Sequence, residues 1–395
     1  MIKVLHVLEA MGGGTKKALY LLVMNMDRHK FDITLALPPP APYNPLRPLA
    51  DPQFPERMRS KGYEVKLVNM VGGKIAPIAN SRALLSLYWI IRKNRYDVVH
   101  AHSAIAGFVG RLAAKLARVP VIIYASHGLP FNDYISSRRR WLYIMLERFA
   151  GYFTHTLIVS SETEKQQAIQ ARIIEPKRIN VINNCLDTDK LDVDKVDVLK
   201  KRKELGLRLA DPVVGMVARL TPQKGPHYFI KAAAQVLKAE PKAQFVLVGD
   251  GELRRKMENL IAQLDISDSL YLLGNRNDCL EIVATFDLFV LSSLWEGMPY
   301  APLEAMLLRK PIIATDIAGS RDIIQNDNLG VLVPPKNTAA LSEAILGLLR
   351  NKERAQQMGQ CGEKSIRQRF SISSSVFQVT KVYQELLANK DNLRM

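Results

Sequence analysis

The sequence has little cysteine and no local means of pairing it. Cys185, Cys279 and Cys361 are the only cysteines in 395 residues, and they lie far apart without a CxxC pair. This odd, dispersed set excludes a disulfide scaffold and a zinc ribbon, and it is typical of proteins from a reducing compartment. A chain that is 48% hydrophobic can instead bury large cores without cross-links.

Long apolar runs are also missing. No window holds about 18 uninterrupted apolar residues, so no transmembrane helix is expected. The first residues, MIKVLHVLEAMGGG, are too polar and too short in apolar length for a signal peptide. The sequence therefore predicts a cytoplasmic protein.

Acidic residues are scarce in one half of the chain. Residues 1–180 contain 26 Lys and Arg against 12 Asp and Glu, whereas the remainder contains 29 against 26. The net charge of +17 therefore lies almost entirely in the first half. A one-sided basic field attracts phosphate-rich partners such as nucleic acid, anionic lipid or a phosphorylated substrate. The alternative is a charge that serves solubility alone.

Short apolar runs alternate with helical patterns in both halves. Strands are predicted in the first half at 3–9, 31–37, 64–70, 97–103, 119–128 and 156–161, and in the second at 211–220, 243–251, 270–274, 287–293, 310–316 and 330–335. Strands separated by helices of this length indicate βαβ units and a parallel sheet. The sequence therefore predicts an α/β protein with two Rossmann-like, doubly wound units.

The domain boundaries follow from the restart of this pattern. We predict an N-terminal domain over 1–185, a C-terminal domain over 186–373, and a helix within 374–395 that packs back on the N-terminal domain. The charged stretch 187–203 is predicted to be a linker, and the Pro-rich, basic stretch 38–61 to be a long loop that is functional or mobile. Ligands of open α/β sheets bind beyond the carboxyl ends of the strands, so two facing units would form a cleft there.

Two cations follow the first predicted strand of the second half. Arg219 ends that strand in VARLTPQKGP, and Lys224 follows after a turn containing Pro222. Arg can fork onto two phosphate oxygens and Lys adds a point charge, so the pair suits a diphosphate. The spacing alone leaves open that both are solvated surface residues.

The segment SSLWEGMPYAPLEAM (292–306) places two carboxylates around a predicted helix start. Glu296 falls in a loop of turn-forming residues, and Pro302 suits the first turn of the helix that follows. Glu304 is predicted in that same first turn, where free N–H groups and the helix dipole favour a phosphate. Carboxylates also accept the paired hydroxyl hydrogen bonds of ribose or a hexose. Taken singly, each acid could be an ordinary surface residue.

Several segments together resemble one enzyme family. Glu296 and Glu304 reproduce the E-x7-E motif of the family-four retaining glycosyltransferases, and EGMPYAPLEAM is similar to that family beyond the two acids. VARLTPQKG resembles its arginine–lysine motif, and four further segments follow the family's order: GGGTKKAL (12–19), DVVHAHS (97–103), SHG (126–128) and VGDGELR (248–254). The likeness covers nearly the whole chain. It implies the GT-B fold, in which two Rossmann-like domains face each other across a cleft.

The resemblance implies a role for each matching residue of the second half. Arg219 and Lys224 would hold the diphosphate of a nucleotide-sugar donor, and Glu304 would bind the ribose hydroxyls. Glu296 would bind hydroxyls of the transferred sugar. No metal site and no cofactor are expected, because the two cations replace a metal on the leaving diphosphate.

The resemblance also assigns residues of the first half. Gly13 and Gly14 would let the N-terminal loop approach the donor phosphate or the acceptor closely. His127 would lie over the donor sugar from the opposite domain and, like Glu296, would be a catalytic residue. No protein nucleophile is assigned, since a donor phosphate oxygen can take the proton of the acceptor hydroxyl.

The implied reaction is retaining, hexosyltransferase-type transfer from a nucleotide sugar, with UDP as the commonest base. The first domain would bind the acceptor, a sugar or a lipid-linked or anionic glycan precursor of cell-envelope polysaccharide, and the second would bind the donor. A nucleotide-sugar epimerase of the same fold is the alternative, although the E-x7-E motif favours transfer. Nucleic-acid binding, suggested by charge alone, lacks a readout motif and a stacking platform.

Three details depart from these patterns or stand outside them. VINNCLDT carries Asn184 and Cys185 where the family often has Asn-Gly, which puts the local conformation in doubt. His100 and His102 lie on one side of a strand, but no third ligand is near in sequence to complete a metal site. The Gly12–Gly14 run lacks the GxGxxG spacing of an NAD enzyme.

The helix predicted at SRRRWLYIMLER (137–148) combines three arginines with aromatic and aliphatic residues. A basic, aromatic, amphipathic helix can lie at a bilayer surface. We therefore expect the N-terminal domain to dock on an anionic membrane, peripherally on its inner face. A helix that faces the core behind a basic cap is the alternative.

Overall fold

The structure, a computed structural model, describes residues 1–9, 11–40, 51–70, 77–131, 134–188 and 196–391. Within this part the chain forms two compact units. The first comprises most of residues 1–185 together with the segment from Ile372 onward, and the second runs from Leu186 to Ser371. Each unit has its own parallel sheet and its own buried clusters.

A parallel sheet forms the centre of the first unit. Its strands are β1 (Ile2–Val7), β2 (Phe31–Leu37), β3 (Glu64–Leu67), β4 (Val98–His102), β5 (Val121–Ala125), β6 (Thr156–Val159) and β7 (Ile179–Val181), in the order β3-β2-β1-β4-β5-β6-β7. β4 and β5 are buried along their whole length, as strands covered by helices on both faces must be. The helices are α1 (Gly13–Asn25), α2 (Phe54–Ser60), α3 (Pro77–Asn94), α4 (Ala104–Leu116), α5 (Ser137–Gly151) and α6 (Glu162–Gln170).

The second unit repeats this architecture. Its strands are β8 (Val213–Val217), β9 (Gln244–Val248), β10 (Leu270–Gly274), β11 (Leu288–Leu291), β12 (Ile312–Thr315) and β13 (Val331–Val333), in the order β10-β9-β8-β11-β12-β13. The helices are α7 (Val198–Glu204), α8 (Pro226–Ala239), α9 (Arg254–Gln263), α10 (Cys279–Ala284), α11 (Tyr300–Leu307), α12 (Ala318–Ile323), α13 (Thr338–Arg350) and α14 (Lys352–Arg369).

The strand order of each sheet reverses at one place. In the first sheet β1 lies between β2 and β4, and in the second β8 lies between β9 and β11. Ligands of doubly wound sheets bind at such reversals, beyond the carboxyl ends of the strands. The loops after β1, β4, β8 and β11 therefore lie where each unit would bind a ligand.

The last helix, α15 (Ile372–Asp391), belongs to the first unit. Val379, Val382 and Tyr383 are buried in one cluster with residues of the first sheet, among them Val4 and Ile123. The chain therefore returns to its first unit after completing the second. None of the helices in the described part of the chain has the length and apolarity needed to cross a membrane.

The prediction of one long loop over 38–61 is wrong for its second part. Residues 54–60 form α2, in which Phe54 and Met58 are fully buried four positions apart. Pro55 stands at the start of the helix, where its missing N–H does no harm. The many prolines around this short helix predicted a loop, although the spacing of its apolar residues is helical. Residues 41–50 of the predicted loop lie outside the described residues.

The prediction of a linker over 187–203 is also wrong in part. Its last residues begin α7, which Asp197 caps by accepting a hydrogen bond of 2.9 Å from the Lys200 amide. Arg202 is buried and donates to the carbonyl of Thr285 and to the carboxylate of Asp287. A charged sequence resembles a linker, but this arginine ties the helix to the second unit. Residues 189–195 lie outside the described residues.

Candidate functional site

A sharp turn carries the two predicted cations away from β8. Residues 222–224 form a single 3-10 turn, and Gly225 follows with φ +56, in the left-handed region. A Cβ at Gly225 would lie 2.4 Å from the carbonyl oxygen of Ser292 at the end of β11. Glycine is therefore required on both conformational and steric grounds. The close approach brings the loop after β8 against the loop after β11.

Glu296 lies in this junction and is surrounded by donors. Its carboxylate forms an ion pair with the ammonium of Lys224 and accepts 2.7 Å from the Ser293 hydroxyl. The Gln223 amide lies 3.4 Å from the other oxygen and donates at 3.0 Å to the Trp295 carbonyl. The side chains of Lys224 and Glu296 are 16% and 7% exposed. A carboxylate held from three sides is fixed in position, as binding of sugar hydroxyls would require.

Arg219 lies at the open side of the same loop. It is exposed, and its guanidinium lies 3.5 Å from the side-chain oxygen of Gln223. Arg219, Gln223, Lys224 and Glu296 therefore form one connected polar group at the carboxyl ends of β8 and β11. The sequence resemblance implies separate roles for Lys224, on the diphosphate, and Glu296, on the sugar, whereas in the structure the two side chains form an ion pair.

The placement of Glu304 in the first turn of its helix is wrong. Pro299 has extended backbone angles and precedes the helix, so that α11 begins at Tyr300 and Glu304 is its fifth residue. Pro302 lies in the first turn of the helix, where its lack of an N–H costs no hydrogen bond. The helix can therefore begin directly after Pro299. Glu304 is partly buried on this helix, just beyond its first turn.

The glycine loop of the first unit opens α1. Gly13 has φ +68, and the helix begins there without a side-chain cap. Among the described residues, none has an atom within 4 Å of a Cβ built on Gly13. Its positive φ, rather than crowding, is what calls for glycine at Gly13. Gly14 follows inside the first turn of the helix.

His127 follows β5 in a strained loop. Its φ is +49, and Gly128 follows at φ +106. The buried carboxylate of Glu164 holds the residues on either side, accepting 2.6 Å from the Ser126 hydroxyl and 2.9 Å from the Gly128 amide. Its other oxygen accepts 2.9 Å from both the amide and the hydroxyl of Ser160. Glu164 therefore fixes the backbone that presents His127.

Three further histidines lie beside His127 and form a group of four with it. His6, His100 and His102 are buried, and burial lowers the pKa of His6 to about 3 and that of His127 to about 4. Burial also holds the pKa of His100 and His102 well below the usual range. All four are therefore neutral near pH 7.

Three of these histidines lie close enough together to be considered as a metal site. Candidate ligand atoms of His6, His100 and His102 lie within 4.8 Å of one another. However, His6 Nδ1 and His102 Nε2 are 3.0 Å apart and hydrogen-bonded, and the rings of His100 and His102 are stacked with centroids 4.2 Å apart. Stacked rings direct their in-plane lone pairs side by side rather than to one point. The arrangement favours a hydrogen-bonded stack.

Sequence reasoning missed the residues that support the predicted ones. Gln223 and Ser293 lie beside Glu296, Glu164 holds the loop of His127, and Glu9 accepts hydrogen bonds at the start of α4 from Ser103 and the Ala106 amide. Burial raises the pKa of Glu9, against the lowering effect of these hydrogen bonds. Gln223 adjoins Lys224 and Ser293 lies three positions before Glu296, and this closeness in sequence was the signal available for both. Glu164 lies 37 positions from His127 and gave none.

Comparison with known proteins identifies the family. The sequence model described as Glycosyltransferase Family 4 matches residues 12–190, and that described as Glycosyl transferases group 1 matches residues 197–365. An Escherichia coli UDP-Gal:alpha-D-GlcNAc-diphosphoundecaprenol alpha-1,3-galactosyltransferase is 35% identical over 80% of this chain and 82% of its own. The chain belongs to glycosyltransferase family 4. The capsular polysaccharide glycosyltransferase CapM of Staphylococcus aureus is a more distant relative, 25% identical over 84% of this chain and 88% of its own.

Solved structures confirm the GT-B fold of this family-4 glycosyltransferase. HepE of Anabaena, crystallised with UDP-glucose, superposes with a TM-score of 0.82 at 23% identity and covers 98% of this chain and all of its own. Sucrose-phosphate synthase of Thermosynechococcus elongatus reaches 0.79 at 19% identity, over 98% of this chain and all of its own. Neither the family models nor these relatives describe an epimerase, so that alternative has no support.

The departure at Cys185 does not disturb the glycosyltransferase fold. Cys185 is buried, and its φ is not positive. The next residue is held in place because the Leu186 amide donates a hydrogen bond of 2.9 Å to the Phe370 carbonyl. No glycine conformation is needed at this position.

Proposed function

We propose that this glycosyltransferase transfers a sugar from a UDP-sugar with retention of configuration and without a metal ion. The observation that carries the proposal is the connected group of Arg219, Gln223, Lys224 and Glu296 at the strand-order reversal of the second sheet. It offers two cations and a fixed carboxylate at the edge where such sheets bind nucleotides. The relative with 35% identity uses UDP-galactose by name, which supports UDP as the base.

Charge development during transfer explains the need for the cations. When the bond between the sugar C1 and the donor phosphate breaks, the leaving UDP gains negative charge. Lys224 and Arg219 stabilise that charge in place of a metal. The acceptor oxygen bonds to C1 and its proton passes to a donor phosphate oxygen. Glu296 holds hydroxyls of the sugar and Glu304 those of the ribose.

A nucleotide screen tests the donor assignment. Thermal unfolding is followed with UDP, GDP, ADP and their common sugar conjugates, in the presence of EDTA. We expect UDP and its sugars to raise the melting temperature by mass action and Lys224→Ala to abolish the shift. Stabilisation by GDP or ADP compounds alone would replace UDP, and a shift that requires a divalent metal would overturn metal independence.

We further propose that the first unit receives a lipid-linked acceptor at a membrane surface. Along α5, Trp141, Met145 and Phe149 are 65%, 41% and 53% exposed, and Tyr152, which caps the helix, is 87% exposed. Their spacing of three to four residues places them on one side of the helix, and the exposed Arg138–Arg140 run begins it. An exposed apolar face beside clustered arginines suits anionic lipid. The named acceptor of the Escherichia coli relative, a diphosphoundecaprenol, is itself a lipid.

A further inference from the structure

Three imidazoles form one line that ends at His127. His127 Nε2 lies 3.0 Å from His102 Nδ1, and His102 Nε2 lies 3.0 Å from His6 Nδ1. A neutral imidazole carries one N–H and one bare nitrogen, so each of these contacts joins one of each. Because burial lowers the pKa of all three rings, they stay neutral near pH 7. The proton position on one ring therefore dictates the positions on the other two.

The far end of this line decides between the two arrangements. His6 Nε2 is buried and has no hydrogen-bond partner among the described residues. If it carried the proton, a buried N–H would be left without an acceptor, which folded proteins tolerate less than a bare acceptor. With Nε2 bare, the His6 Nδ1–H donates to His102, and the His102 Nδ1–H donates to His127. The proton of His127 then lies on Nδ1.

The backbone of His127 is fixed independently. Glu164 accepts from Ser126 and Gly128 on either side of it and holds the left-handed conformation at φ +49. The ring is thus held at Nε2 by His102 and at the backbone by Glu164. Its Nδ1 edge is the one that the line of histidines does not engage.

We propose that His6 and His102 are positioning residues that hold His127 as its Nδ1–H tautomer. Resting on the proposed function and on the role that the sequence resemblance implies for His127, this makes His127 a hydrogen-bond donor to an oxygen of the donor sugar. His6 acts without touching His127. A histidine free to choose either tautomer could instead accept a hydrogen bond from a sugar hydroxyl, so the chain of rings sets the direction of the hydrogen bond between His127 and the sugar.

The tautomer can be measured without any substrate. In protein labelled with 15N in the imidazole rings, the chemical shifts of Nδ1 and Nε2 show which nitrogen is protonated. We expect Nδ1–H for His127 in the wild type and a mixture of tautomers in His102→Leu and in His6→Leu. His102→Asn and His6→Asn place an amide where Nδ1 stood and should restore the single tautomer. His29→Gln removes an exposed histidine and serves as the matched control.

The outcomes separate this proposal from the proposed function. An Nε2–H His127 in the wild type, or an unchanged tautomer in both leucine variants, overturns the positioning role even if transfer occurs. Loss of transfer with an unchanged UDP-induced thermal shift is expected in the leucine variants, with kcat reduced about tenfold or more and rescued by asparagine. Equal activity of all variants overturns the link to the sugar. Displacement of the His6, His100 and His102 signals by added Zn²⁺ would replace the hydrogen-bonded line with a metal site.

Discussion

Lys224 and Glu296 form an ion pair although 72 positions separate them in sequence. The pair lies where the loops after β8 and β11 meet, with both side chains largely shielded from water. In the proposed donor site, the diphosphate would attract an ammonium that already has a carboxylate partner. Binding of the sugar nucleotide and the position of Glu296 would then be coupled through this contact.

Removing one charged contact from the donor site should reduce transfer strongly. We expect Lys224→Ala and Glu304→Ala each to lower kcat/KM by at least about a hundredfold, the typical loss for one preorganised contact. Steady-state transfer assays measure the effect. Lys256→Ala, which removes an exposed lysine of the same unit, is the matched control and should change little. Near-normal rates in both site variants would refute the donor-site assignment.

Neutralising Glu296 should separate nucleotide binding from transfer. Glu296→Gln keeps a side chain that can bond Ser293 and Gln223 but releases Lys224 from its ion pair. Calorimetric titration should show UDP binding unchanged or tighter, while kcat falls about tenfold to a hundredfold. Weaker UDP binding in this variant would contradict a competition between Glu296 and the diphosphate for Lys224.

The buried histidines should make the protein less stable in mild acid. His6, His100 and His102 have folded pKa values far below about 6.5, the usual value in an unfolded chain. The stability that these neutral rings contribute is complete above pH 6.5. It is lost as the pH falls from there toward the folded pKa values, because only the unfolded chain takes up the protons. Each buried histidine should lower the free energy of unfolding by roughly 1.4 kcal/mol between pH 7.5 and 5.5.

Urea unfolding at the two pH values measures this loss. His6→Asn removes one of the buried groups and should reduce the difference between the two pH values. His29→Gln removes an exposed histidine and should leave it unchanged. Equal stability of the wild type at pH 7.5 and 5.5 would show that these rings titrate normally in the folded protein.

The exposed face of α5 should bind anionic membranes. Co-sedimentation with vesicles containing phosphatidylglycerol should recover the wild-type protein at low salt but not the Arg138/Arg139/Arg140→Ala variant, and binding should weaken as salt rises. Neutral vesicles are the lipid control. Replacing Arg350, an exposed arginine of the second unit, with Ala should leave binding intact. Absence of binding by wild type and variant alike would remove the membrane from this proposal.

Strand positions could be predicted from sequence because they depend on local patterns, whereas the roles of the donor-site residues stay predictions. Apolar runs identified each strand from β1 to β6 and from β8 to β13, whereas β7 carries the polar Asn180 at its centre and gave no such signal. The contact between Lys224 and Glu296 could not be predicted, because it depends on Gly225 passing within contact distance of the Ser292 carbonyl.

The line of histidines could not be predicted from sequence, because it depends on which strands are neighbours in the sheet. His6 lies on β1, His102 on the neighbouring β4 and His127 after β5, so sheet order rather than sequence spacing brings them together. The same is true of Tyr383, whose hydroxyl lies 2.7 Å from His100 Nδ1 across 283 positions. Periodicity shows which face of a strand is buried, but it does not show which strands are neighbours.

Sugar transfer itself is tested most directly by the product. The protein is incubated with EDTA, UDP-galactose and a synthetic acceptor bearing alpha-GlcNAc on a lipid diphosphate, followed by UDP-glucose and UDP-GlcNAc in turn. We expect UDP release that depends on the acceptor and a disaccharide whose new linkage is alpha by NMR. A beta linkage would contradict retention. Conversion of the sugar nucleotide without any transfer to an acceptor would contradict the central claim.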